Sequence, residues 1–179
     1  MKRNFFLTLS FALMITTYSC GGNKETLPPT TQEETKEEKP KGPISDREWS
    51  YDYTEILDGH QYQISIHRHS NSKLPIIKDE LGQEYYDNCA ELTILRDGKK
   101  FYSKTFTKDA FWDFLSEADR KNSMLQGLAF DQPYSDGLQF GAQIGLPDGE
   151  GGPAFIVTIS KKGTMSIMKD HNQDTQGEY

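Results

Sequence analysis

Two histidines, His67 and His69, have a spacing that is typical of metal ligands. Residues two apart on a β-strand point to the same side of the sheet, and imidazole is a frequent zinc ligand. Both histidines share the parity of the polar Gln63 and Ser65, so we expect them to face solvent. No third ligand lies near them in the sequence. The pattern therefore predicts a polar surface at which a ligand could bind, with no metal and no cofactor.

A glycine-rich acidic loop at residues 147–153 is the second place where polar groups could act together. Asp148 and Glu150 would offer two carboxylates beside open glycine backbone, which suits a cation or a polar ligand. The alternative is a flexible connection between strands. The segment that starts at Asp170 begins like a calcium loop, but Thr175 stands where such a loop needs its turn glycine. We therefore predict no calcium site there.

The sequence contains none of the common enzyme motifs. It lacks the Gly-x-Ser-x-Gly turn of hydrolases, the phosphate-binding loop, the His-Glu-x-x-His motif of zinc proteases and the dinucleotide fingerprint. Cys89 has no histidine near it in sequence, so we interpret it as a small buried apolar residue rather than a nucleophile. An enzyme would need a site assembled from residues distant in sequence, with His67, His69 and the acidic loop as its candidates.

The N-terminus has the parts of a bacterial export signal. Lys2 and Arg3 precede an apolar run of about eleven residues, which is too short to cross a bilayer because a spanning helix takes about 20. Ser19 then precedes Cys20. This segment resembles the lipobox of bacterial lipoproteins, in which a diacylglyceryl group is attached to the cysteine and the signal is cleaved just before it. The resemblance implies a signal peptide over 1–19 and a lipid on Cys20.

Details of the lipobox suggest where the protein is anchored. Thr17 occupies a place where leucine is usual, and looser lipoboxes of this kind are similar to those of Bacteroidetes-type envelope lipoproteins. Gly21 follows the cysteine, whereas an aspartate there is the usual mark for retention at the inner membrane. The resemblance therefore implies a lipid anchor in the outer membrane, with its periplasmic and surface faces both left open.

The composition of the rest of the chain indicates a tether, a globular domain and a tail. Residues 20–45 are rich in Pro, Thr, Glu and Lys, so they cannot bury enough apolar surface to offset their ordering entropy and are predicted to be a disordered acidic tether. A single globular domain is predicted over 46–170, with a frayed polar tail over 171–179. The chain has 20 Lys and Arg against 27 Asp and Glu, and loss of Lys2 and Arg3 with the signal leaves a net charge of −9. Nucleic acid is therefore not an expected partner.

Alternation of apolar and polar residues predicts strands through most of the domain. Two predicted hairpins turn at Asp58-Gly59 and Asp97-Gly98, a dipeptide that type I′ turns prefer, and the second would place Ile94 opposite Phe101. Between the hairpins and the later strands we predict one helix, from an N-cap at Thr107 to about Asn122. Its apolar stripe comprises Phe111, Trp112, Leu115 and Ala118, and we expect Phe111, Trp112 and Leu115 to pack against the sheet as core residues.

About eight strands with one helix after the fourth predict a mainly β fold: an antiparallel meander, rolled into a barrel or folded as a sandwich, with one short α-helix packed on it. The arrangement resembles the small uncharacterised lipoproteins of Bacteroidetes, which imply no activity. The leading functional hypothesis is a non-catalytic envelope module, held at the membrane by its lipid, that binds a partner protein, a glycan or a small ligand. The alternative is a hydrolase.

The anchor can be tested by replacing the lipidated residue. Cys20→Ala should release the protein from the membrane fraction or leave its signal uncut, because each acyl methylene contributes about 0.8 kcal/mol to membrane retention. Metabolic labelling with a fatty acid, followed by fractionation, measures the effect. Unchanged labelling and retention in the variant would contradict the lipobox assignment.

Overall fold

Ten strands dominate the computed structural model, which describes residues 42–147 and 151–171. The strands are β1 (Trp49–Leu57), β2 (His60–Ser70), β3 (Ile76–Lys78), β4 (Glu84–Tyr86), β5 (Asn88–Arg96), β6 (Lys99–Phe106), β7 (Met124–Tyr134), β8 (Gly137–Gly145), β9 (Ala154–Ser160) and β10 (Met165–Lys169). Sheet I has the order β1-β2-β5-β6, sheet II has the order β10-β9-β8-β7, and β3 pairs with β4 alone. All these pairs are antiparallel.

The two large sheets share one apolar core, so the fold is a sandwich. Alternate residues of both sheets face inward, such as Ile64 and Ile66 in β2 and Phe140 and Ile144 in β8. The mainly β, antiparallel prediction is confirmed, and within the described ranges the strands do not close into a barrel. The structure adds the short β3-β4 pair to the predicted strands, so the helical segment follows the sixth strand rather than the fourth.

The two Asp-Gly turns form as predicted. Asp58 and Asp97 have φ of 52° and 51°, and Gly59 and Gly98 have φ of 79° and 75°. Positive φ at both central residues is the signature of a type I′ turn, whose twist matches that of the flanking strands. These turns fix the β1-β2 and β5-β6 hairpins.

The predicted pairing of Ile94 with Phe101 is wrong. The register shifts between Ile94 and Leu95, and Ile94 lies opposite Tyr102. Such a bulge places one extra residue on β6 and turns successive side chains toward the same side. Phe101 and Tyr102 both pack against the core as a result, with the Phe101 ring meeting Tyr62 edge-on at a centroid distance of 5.7 Å.

The single predicted helix is two short helices. A 3₁₀ helix spans Lys108–Phe114 and an α-helix, α1, spans Glu117–Asn122. Leu115 breaks the helical path with extended backbone, at φ −90° and ψ 141°. Thr107 is the N-cap residue of the 3₁₀ helix, as predicted, although its side chain makes no capping hydrogen bond. Ser116 caps α1, its hydroxyl accepting from the Asp119 amide at 3.2 Å.

The apolar stripe of this segment is only partly buried. Phe111 and Leu115 belong to the core, whereas Trp112 is 44% exposed and Ala118 is exposed. A 3₁₀ helix has three residues per turn, so Lys108 and Phe111 share the inward face and Trp112 is rotated away from it. The Arg120 guanidinium lies 4.9 Å from the Trp112 ring centroid. Trp112 was predicted to be a core residue, and that prediction is wrong.

Buried polar side chains of β2, of β5 and of Asp87 just before β5 tie the start of β7 in place around Leu125. The Leu125 amide donates to Asp87 Oδ1 at 3.0 Å, and its carbonyl accepts from Asn88 Nδ2 at 2.9 Å and from Arg68 Nη2 at 3.4 Å. The three polar residues are each at most 2% exposed. We call these four residues the polar junction.

Two residues of the polar junction, Arg68 and Asp87, also form ion pairs. Arg68 is paired with Asp46 and also donates to the Arg47 carbonyl at 2.6 Å. Lys108 Nζ donates to the Ser123 carbonyl at 2.5 Å and lies 3.6 Å from Asp87 Oδ2. Burial raises the pKa of Asp87, although the Leu125 amide and Lys108 oppose the shift. Among the described residues, the buried charges of Arg68, Asp87 and Lys108 each lie beside an opposite charge, while Nε of Arg68 has no hydrogen-bond partner.

The chain just before β1 also joins the fold. The Ile44 amide donates to the Glu84 carbonyl at 2.8 Å, and the Ile44 carbonyl accepts from the Tyr86 amide at 3.0 Å. These bonds add a single parallel bridge to the β3-β4 pair. Among the described residues, the helices are all too short to cross a membrane.

The different burial of Phe111 and Trp112 predicts different losses of stability when each is replaced by alanine. Phe111→Ala should lower the free energy of unfolding by about 3–5 kcal/mol, because it leaves a cavity beside Phe106 and Phe155. Trp112→Ala should cost only about 0.5–1 kcal/mol, the value of an exposed cation–π contact. Denaturant titrations of the two variants beside wild type measure both. A larger loss from Trp112→Ala would mean that the indole is a core group.

Candidate functional site

The structure brings His67 and His69 together with Glu91 on the outward face of sheet I. In the β2-β5 register His67 lies opposite Glu91 and His69 lies opposite Cys89. The two imidazole rings are tilted by 30° with centroids 4.7 Å apart. One donor atom from each of the two histidines and Glu91 lies within 4.8 Å of the other two. We call these three residues the histidine cluster.

Hydrogen bonds assign the ring protons of both histidines. Nε2 of His67 lies 2.6 Å from a Glu48 carboxylate oxygen, and Nδ1 of His69 lies 3.0 Å from the Ser70 carbonyl. A carboxylate and a carbonyl only accept, so these two nitrogens carry protons. Nε2 of His69 lies 3.6 Å from the Glu91 carboxylate. Both rings are therefore oriented by their neighbours rather than loose on the surface.

A shallow polar groove of about 300 Å³ adjoins the histidine cluster. Its lining includes Ser50, Asp52, Ser65 and Thr93, together with His67 and Glu91. The Ser65 hydroxyl donates to Asp52 at 2.6 Å. Three carboxylates, those of Glu48, Asp52 and Glu91, thus lie on or beside this face. The groove suits a cation or a neutral polar group better than an anion.

Cys89 is buried, as its sequence context predicted, but a histidine does lie beside it in space. Its Sγ is 3.4 Å from Nε2 of His69 and 3.9 Å from Asn71 Nδ2, and the residue is 1% exposed. Burial raises the pKa of the thiol, and the charges of Glu91 and Asp87 act in the same direction against the Asn71 hydrogen bond. A protonated, enclosed thiol is a poor nucleophile. The pair therefore gives little support to cysteine hydrolase chemistry, and the hydrolase alternative stays a prediction.

A larger concavity of about 890 Å³ lies over sheet II. Its floor is formed by β7, β8 and β9, where Ala129, Gly141 and Ile156 pair across the sheet in one row and the first two leave open space. Four glutamine amides stand around this row: Gln126, Gln132, Gln139 and Gln143. We call this concavity the glutamine trough.

Aromatic residues of β1 form one wall of the glutamine trough. Trp49 and Tyr51 line it, with ring centroids 5.0 Å apart, and Tyr51 is 50% exposed. A Cβ on Gly127 would lie only 3.3 Å from Cζ2 of Trp49. The absence of a side chain at Gly127 therefore lets the indole lie directly on the backbone of β7. The wall presents a half-exposed phenol ring to the trough.

The lining of the trough contains amides, aromatic rings and two acids, Asp131 and Asp170, and no lysine or arginine among the described residues. An amide side chain both donates and accepts hydrogen bonds, which matches hydroxyl groups. An aromatic ring offers an apolar face to C–H groups. The trough is therefore suited to a neutral ligand that carries many hydroxyls, and poorly suited to an anionic one.

Sequence reasoning located part of these surfaces. His67 and His69 are adjacent and outward-facing, as predicted, although they are half-buried rather than fully exposed. Asp148 and Glu150 lie outside the described residues, as does Cys20. Glu91 was missed because its place depends on the β2-β5 register. The alternation of Gln139, Gly141 and Gln143 with the core residues of β8 was a visible signal for the trough.

The burial of Cys89 can be tested by its reactivity. In the folded protein Cys89 should react with a neutral thiol reagent at least about tenfold more slowly than in denaturant, because the sulfur is enclosed and protonated. Kinetics of thiol modification with and without denaturant measure this, and the Cys89→Ser variant gives the background. Equal rates in the two states would show an accessible thiolate.

Comparison with known proteins gives a family and no activity. Residues 29–167 match the family described as Domain of unknown function (DUF4738). No curated protein matches the sequence. The matched span holds β1 to β9, part of β10, the histidine cluster and all of the glutamine trough except Asp170. Because it covers well over half of the sequence, the chain belongs to the DUF4738 family.

Proposed function

We propose that this protein is a non-catalytic binding module of the cell envelope, held at the outer membrane by a lipid on Cys20, whose glutamine trough takes a neutral, hydroxyl-rich ligand such as a glycan chain. The observation that carries the proposal is the trough itself, with its amides around a floor that includes Ala129 and Gly141, and with its aromatic wall. A partner protein or a small apolar ligand would be met by a more apolar lining.

The dimensions of the trough favour a ligand of several rings. Its volume of about 890 Å³ falls in the range of roughly 300–1,000 Å³ that small-molecule sites occupy. The trough runs from Tyr51 over β7 to Ile156 in β9, so an extended chain would cross three strands. Its open form suits a segment within a longer polymer.

Fixed donors and acceptors would give the trough its selectivity. Gln126 is already held, because its amide nitrogen donates to the Leu146 carbonyl at 2.7 Å and to the Gly145 carbonyl at 3.3 Å. Gln139 and Gln143 alternate with core residues along β8, which fixes the positions of their Cα atoms. A rigid sheet bearing polar side chains binds with less loss of conformational entropy than a loop would.

Charge supports the choice of a neutral ligand. The chain carries a formal net charge of −7, and the trough adds Asp131 and Asp170 without a basic residue in its described lining. Phosphate-rich polymers would be repelled. The proposed anchor rests on the lipobox at Cys20 and on the composition of residues 20–45.

Binding can be measured against a panel of short oligosaccharides, neutral and acidic, by calorimetry. Neutral members should bind and acidic ones should not. Tyr51→Ala should weaken binding by about tenfold, which corresponds to about 1.4 kcal/mol, because the ring is the exposed part of the wall. Gln139→Ala should weaken it by a similar factor.

Tyr134→Ala is the matched control, because Tyr134 is 45% exposed but does not line the trough. It should leave the affinity unchanged. Failure of every oligosaccharide to bind, or an equal loss in Tyr134→Ala, would contradict the assignment of the trough. If Tyr51→Ala and Gln139→Ala each kept the wild-type affinity, the ligand would bind outside the glutamine trough.

A further inference from the structure

We propose that the histidine cluster, His67, His69 and Glu91, is a binding site for a borderline divalent metal ion such as Zn²⁺. This site is independent of the glutamine trough, because it lies on the outward face of sheet I. Donor atoms from all three residues already lie within 4.8 Å of one another, and His69 Nε2 and Glu91 Oε1 are 3.6 Å apart. Metal–ligand bonds of about 2.0–2.2 Å place neighbouring tetrahedral donors roughly 3.3–3.6 Å apart.

The backbone presets this arrangement. His67 and His69 are two residues apart on β2, and Glu91 faces His67 from β5 in the antiparallel register. Both strands are interior strands of sheet I, each paired on both sides. Ligands on such strands need only side-chain rotation to close around an ion, so little ordering entropy opposes binding.

Hydrogen bonds leave one nitrogen of each ring for a metal. The Glu48 carboxylate engages Nε2 of His67, and the Ser70 carbonyl engages Nδ1 of His69. In the neutral rings the lone pairs are then on Nδ1 of His67 and Nε2 of His69, and Nε2 of His69 is the nitrogen that lies 3.6 Å from Glu91. An oxygen acceptor behind each ligating imidazole is the usual second layer of a metal site, where it fixes the tautomer and raises the basicity of the ring.

The donor set selects the class of ion. Two imidazoles and one carboxylate suit Zn²⁺ and neighbouring transition metals, whereas Ca²⁺ and Mg²⁺ require sets of oxygen ligands. Three protein ligands leave room for water or another group on the ion, and the groove of about 300 Å³ beside His67 and Glu91 gives access to it. The carboxylates of Glu48 and Asp52 add negative potential at the same face.

The same contacts could instead be a pair of histidine–carboxylate hydrogen bonds without a metal, and titration with Zn²⁺ separates the two. The full-length protein, purified in detergent without a histidine tag, should bind one Zn²⁺ per chain in calorimetry and should not bind Ca²⁺. His69→Gln and Glu91→Gln should each lower the affinity by at least about tenfold. Glu48→Gln should lower it by about tenfold, as loss of a second-layer partner does.

His60→Gln is the matched control. His60 also lies on β2 and forms a histidine–carboxylate pair, with Nδ1 2.6 Å from Asp97, but it belongs to no cluster of three ligands among the described residues. This variant should retain full affinity. Absence of stoichiometric Zn²⁺ binding in wild type, or an equal loss in His60→Gln and His69→Gln, would overturn the proposal.

A measurement on the wild type keeps the test independent of how the variants fold. The ring resonances of His67 and His69 should shift when Zn²⁺ is added in NMR spectra of histidine-labelled protein, and those of His60 should not. Shifts confined to His60 and His171 would overturn the proposal. Unfolding midpoints of the variants, measured alongside, identify any loss of affinity that comes from loss of fold.

Discussion

The backbone of one residue, Leu125, joins the two halves of the sandwich. Its amide donates to the buried side chain of Asp87, just before β5, and its carbonyl accepts from the buried side chain of Asn88 in β5. An unpaired peptide group in the core would lower the free energy of unfolding by about 1–3 kcal/mol. Asp87 and Asn88 prevent this loss only while their side chains point inward to Leu125. The polar junction therefore fixes where β7 begins relative to sheet I, which apolar packing by itself does not specify, since hydrophobic contact has no preferred direction.

The position of β7 also determines the shape of the outward surfaces. Once the start of β7 is fixed, Gly127 lies under Trp49, and the row from Ala129 to Ile156 follows from the pairing of β7, β8 and β9. The glutamine trough is thus built by the same register that closes the core. On the other sheet, Arg68 lies between His67 and His69 in sequence and points into the junction. Its inward position requires its two neighbours to point outward, because successive residues of a strand alternate.

Much of the fold was predictable because its signals are local. Dipeptide turns, the alternation of β8 and the continuous apolar run of β9 each depend on a few neighbouring residues. What was missed depends on contacts between distant residues. The place of Glu91 beside His67 needs the pairing of β2 with β5, and the bulge near Ile94 becomes favourable only when Phe101 and Tyr102 both find room in the core. The split of the helix was also missed, because Phe111 and Leu115 would share one face of a continuous α-helix as well, and only the extended backbone of Leu115 and the Ser116 cap of α1 divide it.

The attachment of the N-terminal segment has a mechanical consequence. Tension on the chain before Gly42 would reach Ile44 and Asp46 first. Ile44 shares the load with the β3-β4 pair through two backbone hydrogen bonds, and Asp46 passes it to Arg68 and so to the junction at Leu125. A force applied at that end must therefore break these hydrogen bonds and the Asp46–Arg68 ion pair before it separates β1 from β2. A force applied through the N-terminal segment would therefore act first on bonds that connect to the core.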